Sequence, residues 1–116
     1  MKKIISLIIV CLLLTACGNK YETIDTNKAL ELIDNGAIVI DVRTNEEYNE
    51  GHIKGAINIP VDEINTINYD KDETLIIYCA TGIRSGNAIN ELINMGYTSL
   101  YNLDGGLLNW GSDLEE

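Results

Sequence analysis

Residues 74–95 read TLIIYCATGIRSGNAINELINM, and this stretch decides the fold. Residues 74–78 form a β-branched apolar run of strand length. Residues 85–95 have a helical period, with apolar side chains on one face and Gly96 directly after them. The short loop between the two elements starts at Cys79. The order of strand, tight loop and helix predicts an α/β unit that presents this cysteine above the end of a sheet.

The rest of the chain repeats the same alternation. A helix is predicted over residues 26–35, with Thr26 as its N-terminal cap and Gly36 as its stop. The other predicted elements are strands at 37–42, 56–59 and 99–103, a short helix after the capping box of Thr44 and Glu47, and short helical segments at 61–67 and 107–110. Strands that are apolar at every position are buried on both faces, so the pattern predicts a mostly parallel sheet with helices on both sides. Ligands of such sheets bind beyond the carboxyl ends of the strands, where Cys79 lies.

The N-terminus has the pattern of an export signal. Lys2 and Lys3 precede an apolar run at 4–14, which is too short to span a bilayer as a helix. The run ends in LTACG at 14–18, which resembles the bacterial lipoprotein signal, in which cleavage leaves a lipidated cysteine. The alternative is an ordinary secretory signal or an uncleaved anchor, in which Cys17 has no special role.

The lipoprotein resemblance implies a domain organisation and a location. It implies a signal peptide at 1–16, a lipidated Cys17 with a short tether at 17–23, and a folded domain at 24–116. We expect the protein to be exported and bound to the membrane through the lipid on Cys17. The sequence leaves open whether it faces a periplasm or the outside of a cell with a single membrane.

Cysteine usage singles out one thiol. The chain has three cysteines. Cys11 would leave with the signal peptide and Cys17 would carry lipid, so Cys79 is the only thiol left free. An unpaired cysteine in an exported protein indicates a reactive thiol.

The net charge of the chain limits the kinds of partner that it can bind. The chain has 116 residues, which suits one domain, and its formal net charge is -10. This acidic balance argues against binding to nucleic acid, which needs clustered basic side chains. Because the electrostatic field of the whole protein repels anions, any anionic substrate must be bound by groups close to it in the site. We expect a monomer.

The residues after Cys79 provide groups that favour a thiolate. A thiol is a poor nucleophile until it ionises, and the N-terminus of the following helix would stabilise the ionised sulfur. Arg84 adds a positive charge, and Gly82 permits the backbone angles of a loop that curls around an anion. The predicted site consists of Cys79 as the nucleophile and a loop that binds the substrate, formed by Ala80, Thr81, Gly82, Ile83, Arg84 and Ser85.

Three separated motifs resemble the single-domain rhodaneses, a family of sulfurtransferases. The motifs are CATGIRS at 79–85, DVR at 41–43 with EYNEGHIKGAINIP at 47–60, and LDGG at 103–106 followed by Trp110. They occur in the family's order and cover about residues 21–112. The chain is similar in size to the small exported members of the family, such as the periplasmic phage-shock type.

This resemblance implies a fold and a mechanism. The fold is a small, mostly parallel five-stranded α/β sheet flanked by helices on both faces. Cys79 attacks the outer sulfur of a small anionic donor such as thiosulfate, forms a persulfide, and passes the sulfur to a thiol or to cyanide. No metal ion and no organic cofactor is required. Asp41 and Arg43 are interpreted as a structural pair that supports the site, and His52 as part of a structural turn.

Two other functions remain open. Cysteine phosphatases and arsenate reductases also use a cysteine in an anion-binding loop, but they resemble Cys-x5-Arg, whereas Cys79 and Arg84 form Cys-x4-Arg. The second alternative function is that of a non-catalytic rhodanese-like module, which binds a partner or senses redox state. Because Ala80, Thr81 and Ile83 are neutral, thiosulfate is expected to bind poorly, and a persulfide on a small thiol or on a protein is an alternative donor.

Overall fold

The computed structural model describes residues 20–116 of the chain. The predicted signal peptide at 1–16 and the predicted lipidation site Cys17 lie outside these residues. Within the described part of the chain, no helix is both long enough and apolar enough to cross a membrane.

Five strands form one parallel sheet. The strands of this sheet are β1 (Tyr21–Ile24), β2 (Ile38–Asp41), β4 (Ile57–Asn58), β5 (Leu75–Tyr78) and β6 (Leu100–Leu103), and they lie side by side in the order β1-β6-β5-β2-β4. Two further strands, β3 (His52–Ile53) and β7 (Leu114–Glu115), form a separate antiparallel pair. The predicted five-stranded α/β sheet is therefore confirmed, and β5 lies at its centre.

Three α-helices and two short 3-10 segments connect the strands. These elements are α1 (Thr26–Asp34), α2 (Asn45–Glu50), α3 (Ile83–Asn94), η1 (Val61–Thr66) and η2 (Gly106–Asn109). The capping box predicted at the start of α2 is confirmed, because Thr44 Oγ1 accepts from Glu47 N and a Glu47 oxygen accepts from Thr44 N.

Buried side chains cover both faces of the sheet, as the strand pattern predicts. Alternate residues of β5 point to opposite faces. Leu75, Ile77 and Cys79 join a cluster with buried residues of α3 and η1. Ile76 and Tyr78 join a second cluster on the opposite face, together with Ala29 of α1 and Ile53 of β3. Cys79 thus faces α3, the helix that follows its own loop.

Three sequence predictions need correction. The predicted tether at 17–23 overlaps β1, which pairs in parallel with β6 at the edge of the sheet, so the folded part begins earlier than residue 24. The cap of α1 is Asp25 rather than Thr26, because the Asp25 carboxylate accepts from Lys28 N at 2.8 Å. Helix α3 begins at Ile83, two residues before the predicted start, so Arg84 and Ser85 lie in its first turn.

Candidate active site

Cys79 lies directly after β5, at the carboxyl end of the central strand. Its side chain is fully buried. The sulfur accepts hydrogen bonds from Gly82 N at 3.0 Å and from Ser85 N at 3.4 Å. The loop therefore curls around the sulfur, as its glycine predicts, and donates backbone N–H groups to it.

The sulfur takes the place of a capping side chain at the N-terminus of α3. Gly82 occupies the cap position with φ 108°, a left-handed conformation that favours glycine, and it has no side chain to cap the helix. The N–H of Ser85, in the first turn, would otherwise lack an acceptor. Because the N-terminal end of a helix carries a partial positive charge, this position favours a thiolate.

Opposing effects set the pKa of Cys79. Burial raises it, because the ionised sulfur loses water. Hydrogen bonds from the side chain and backbone of Ser85, and from the backbone of Gly82 and Thr81, lower it. The hydrogen bonds prevail, so the pKa of the Cys79 thiol lies below its ordinary value.

Ser85 connects the sulfur to a buried asparagine on β6. The Ser85 hydroxyl lies 3.5 Å from the sulfur and 2.7 Å from Asn102 Oδ1. Asn102 Nδ2 in turn donates to Gly82 O at 3.3 Å. The single hydroxyl hydrogen can point to Asn102 or to the sulfur, and donation to the sulfur stabilises its ionised form. Sequence reasoning missed Asn102, although a polar residue inside an apolar strand is a signal that it has a partner.

Ser85→Ala is expected to raise the pKa of Cys79, because the thiolate loses a hydroxyl donor. The measurement is the rate of alkylation by iodoacetamide as a function of pH. Only the thiolate reacts, so the rate rises with pH and its midpoint reports the pKa. For the native protein the midpoint should fall below that of a free cysteine, about 8.5, and for Ser85→Ala it should move upward.

Thr81→Ala is the matched control for this prediction. Thr81 is exposed, and its side chain donates no hydrogen bond to the sulfur. The substitution keeps the backbone N–H, so the midpoint should stay at the native value. Equal midpoints for the native protein and Ser85→Ala would show that the hydroxyl does not stabilise the thiolate.

Arg84 is paired with Glu47 and is not a free cation. Its guanidinium donates to both carboxylate oxygens of Glu47, at 2.7 and 3.0 Å. The pKa of Glu47 is lowered to about 2, and its hydrogen bonds with Arg84 are the largest cause. The carboxylate loses its charge only as the pH falls towards that value, so Arg84 stays neutralised at neutral pH. Arg84 therefore carries its positive charge in the first turn of α3 as part of an ion pair, and its predicted part in binding substrate stays a prediction.

Asp41 and Arg43 form the buried pair that the sequence suggests. Arg43 Nη2 donates to Asp41 Oδ2 at 2.8 Å, and both side chains are almost completely buried. Tyr78 OH donates to the same oxygen at 2.7 Å and accepts from Ile53 N at 3.1 Å. Arg43 Nη2 also donates to Gly51 O at 2.7 Å. This network joins β2 to the residue before Cys79 and does not contact the sulfur.

His52 packs away from the sulfur and has partners of its own. Its Nδ1 lies 2.8 Å from Tyr48 O, and its ring stacks on that of Tyr48 with centroids 3.6 Å apart. Its Nε2 lies 3.5 Å from Glu115 Oε1 in β7. These contacts agree with the interpretation of His52 as part of a structural turn.

Segment η2 is fixed against the Cys79 loop. Leu107 N donates to Cys79 O at 2.8 Å, and Leu108 N donates to Ala80 O at 3.1 Å. A Cβ atom on Gly106 would lie 2.5 Å from Cys79 O, so this approach requires glycine. Because Cys79 is fully buried, a substrate reaches the sulfur only after local movement of the groups around it.

Residues 20–116 contain no group of three or more His, Cys, Asp or Glu side chains placed to hold a metal ion. Cys79 is the only cysteine in this part of the chain. The chemistry that the described site offers is nucleophilic attack by a thiolate that accepts hydrogen bonds from Gly82 N and Ser85 N.

Comparison with known families and sequences gives a consistent result. Residues 25–113 match the rhodanese-like domain. Over 103 residues the chain is 38% identical to the protein HIGH ARSENIC CONTENT 1, mitochondrial, of Arabidopsis thaliana, covering 77% of this chain and 61% of that protein. Over 70 residues it is 44% identical to the thiosulfate sulfurtransferase PspE of Escherichia coli, covering 57% of this chain and 67% of that protein. The chain thus spans about two thirds or less of the length of these curated relatives.

Solved structures agree with the sequence comparisons. The crystal structure of a rhodanese-related protein from Thermoplasma volcanium superimposes with a TM-score of 0.73 at 29% identity. The match covers 82% of this chain and 98% of that one.

Proposed function

Because the chain belongs to the rhodanese-like domain family, we propose that it is a sulfurtransferase that carries sulfane sulfur as a persulfide on Cys79. In the first half-reaction the Cys79 thiolate attacks the outer sulfur of thiosulfate. A bond forms between the two sulfurs, the bond between the outer sulfur and the sulfonate breaks, and sulfite leaves with its electron pair. With a persulfide donor, the leaving group is the donor's thiolate.

In the second half-reaction an acceptor removes the outer sulfur. A thiolate or cyanide attacks that sulfur, the sulfur–sulfur bond breaks, and its electron pair returns to Cys79 as the thiolate. The outer sulfur moves between donor and acceptor, so no external oxidant or reductant takes part.

The observation that carries the proposal is the position of the Cys79 sulfur at the N-terminus of α3. There it accepts from Gly82 N and Ser85 N and has a lowered pKa. A persulfide anion carries its charge on the outer sulfur, and the partial positive charge at the N-terminus of α3 would favour that anion as it favours the thiolate. The similarity to a thiosulfate sulfurtransferase supports the same chemistry.

Intact-protein mass spectrometry tests the proposal. The native protein is incubated with thiosulfate or with glutathione persulfide, and its mass is measured before and after addition of cyanide. A gain of one sulfur atom that cyanide removes is the expected result. No gain of sulfur from either donor would contradict the proposal and leave a binding or redox-sensing module as the better interpretation.

A second candidate is reduction of arsenate, which is favoured by the similarity to a plant protein named for high arsenic content. The loop offers less for this chemistry, since Arg84 is paired with Glu47 and contributes no free charge to an oxyanion. An assay of arsenate reduction with a thiol reductant distinguishes the two candidates. Turnover of arsenate without a Cys79 persulfide would favour the second.

We also propose that the protein is exported and held to the membrane by lipid on Cys17. The proposal depends on the LTACG motif at 14–18 and the apolar run before it. Cys17→Ser is expected to move the protein from the membrane fraction to the soluble fraction, because no acyl chain can be attached to serine by the same reaction. The matched control is Cys11→Ser, which should leave the protein in the membrane fraction. A Cys17→Ser protein that stays with the membrane would show that another feature is the anchor.

A further inference from the structure

A pocket of about 350 Å³ adjoins the Cys79 loop. Ala80, the residue after the nucleophile, forms part of its wall, and Leu107 and Leu108 are held beside it by their hydrogen bonds to Cys79 O and Ala80 O. Its volume is that of a site for a small molecule. The pocket therefore lies beside the residue that follows the nucleophile, while the buried Cys79 sulfur does not itself line it.

The charges that line the pocket leave a negative balance. Among the lining residues, Glu47 is paired with Arg84 and Arg43 is paired with Asp41. Glu50 also lines the pocket, is exposed, and has no ion-pair partner among residues 20–116. The uncompensated charge is thus a carboxylate, which repels an anion and favours a neutral or cationic ligand.

The remaining wall is aliphatic and exposed. Leu108 is 79% exposed and Leu114 is 50% exposed, and both line the pocket. Leu114 belongs to β7, which is held in place by pairing with β3 and by Gly55 N, which donates to Glu115 Oε1 at 2.9 Å. The match to the family ends at residue 113, so Leu114 is supplied by a part of this chain beyond it. Exposed leucines grouped at the mouth of a site indicate contact with an apolar ligand.

We propose that this pocket binds the sulfur acceptor, and that the acceptor is a small aliphatic thiol with no negatively charged group besides its reacting sulfur. This inference rests on the proposed function. The acceptor's alkyl chain lies against Leu108 and Leu114, and its thiolate attacks the outer sulfur of the Cys79 persulfide. The sulfur–sulfur bond breaks, the acceptor leaves as a persulfide, and Cys79 is released as the thiolate. Leu114 and Glu50 determine specificity and take no part in the bond changes.

The test measures how fast a preformed Cys79 persulfide is discharged by two thiols of similar length, 2-mercaptoethanol and 3-mercaptopropionate. The neutral thiol should react faster at equal concentrations of thiolate. Leu114→Lys places a positive charge in the pocket, and Glu50→Gln removes the negative one. Each should raise the rate for the anionic thiol relative to the neutral thiol, by about fivefold to tenfold for Leu114→Lys, as expected for a charge several ångströms away near a protein surface.

Leu30→Lys is the matched control. Leu30 is a partly exposed leucine on α1 and lines a different pocket. Its substitution by lysine adds the same charge to the protein as Leu114→Lys does. For Leu30→Lys, the ratio of the discharge rates with the two thiols should equal the ratio for the native protein. A ratio that neither Leu114→Lys nor Glu50→Gln changes would overturn the inference while leaving the Cys79 persulfide in place. Failure of the native protein to form the persulfide from any donor would instead overturn the proposed function.

Discussion

Cys79→Ser is expected to lower the rate of sulfur transfer by roughly 10⁴-fold or more, to the background of the assay, as for loss of an enzyme's nucleophile. A serine hydroxyl stays protonated at neutral pH and cannot form the sulfur–sulfur bond that stores the transferred atom. The measurement is sulfite release from thiosulfate with a thiol acceptor. Mass spectrometry of the variant should show no added sulfur from thiosulfate or from glutathione persulfide.

The structure predicts that this variant keeps its fold. The serine oxygen can accept from Gly82 N and Ser85 N, which now bond to the sulfur, so no buried donor is left without a partner. Urea unfolding should therefore place the variant close to the native protein. A folded Cys79→Ser variant that still transfers sulfur at a rate near the native one would show that the reaction uses another group.

The central part of the fold could be predicted from the sequence because its strands are apolar at every position. Strand β5 has a pattern that only burial on both faces explains, and it is observed with all four of its residues buried. Strand β1 gives no such signal. Two of its four residues are exposed and it lies at the sheet edge, so its sequence resembles a polar linker. The pair β3 and β7 has strands of two residues, too short for a period to appear.

The features of the site that could be predicted are those set by neighbouring residues, and those that could not depend on contacts between distant parts of the chain. The curled loop, the requirement for Gly82 and the helix behind it follow from neighbouring residues, and the sequence predicts them. The state of Arg84 depends on Glu47, which is 37 positions away in the chain. The sequence assigns Glu47 to a capping box, and the structure shows that it does this and pairs with Arg84 as well. Spacing along the chain contains no information on such a contact.

Asp41→Ala is expected to lower the free energy of unfolding by about 3–5 kcal/mol, the usual cost of removing one member of a buried ion pair. Arg43 would keep its charge in a buried position with Gly51 O as its remaining acceptor there. Tyr78 OH would also lose its acceptor. Single domains have a total stability of about 5–15 kcal/mol, so the variant should unfold at a much lower urea concentration. Glu31→Ala is the control, because its pair with Lys28 is exposed and should contribute at most about 1 kcal/mol.

The double variant Asp41→Leu with Arg43→Met separates two explanations for this loss. If the cost of Asp41→Ala comes from a charge left buried without a partner, removal of the arginine charge should restore much of the stability, although Tyr78 OH still lacks its acceptor. If the pair is itself a net source of stability, the double variant should unfold as easily as Asp41→Ala.

The alkylation midpoint of Cys79 in the double variant then shows what the network does for the site. Because Tyr78 is both a member of the network and the residue before Cys79, a changed midpoint in a stable double variant would identify Asp41 and Arg43 as positioning residues. An unchanged midpoint would limit their role to the fold.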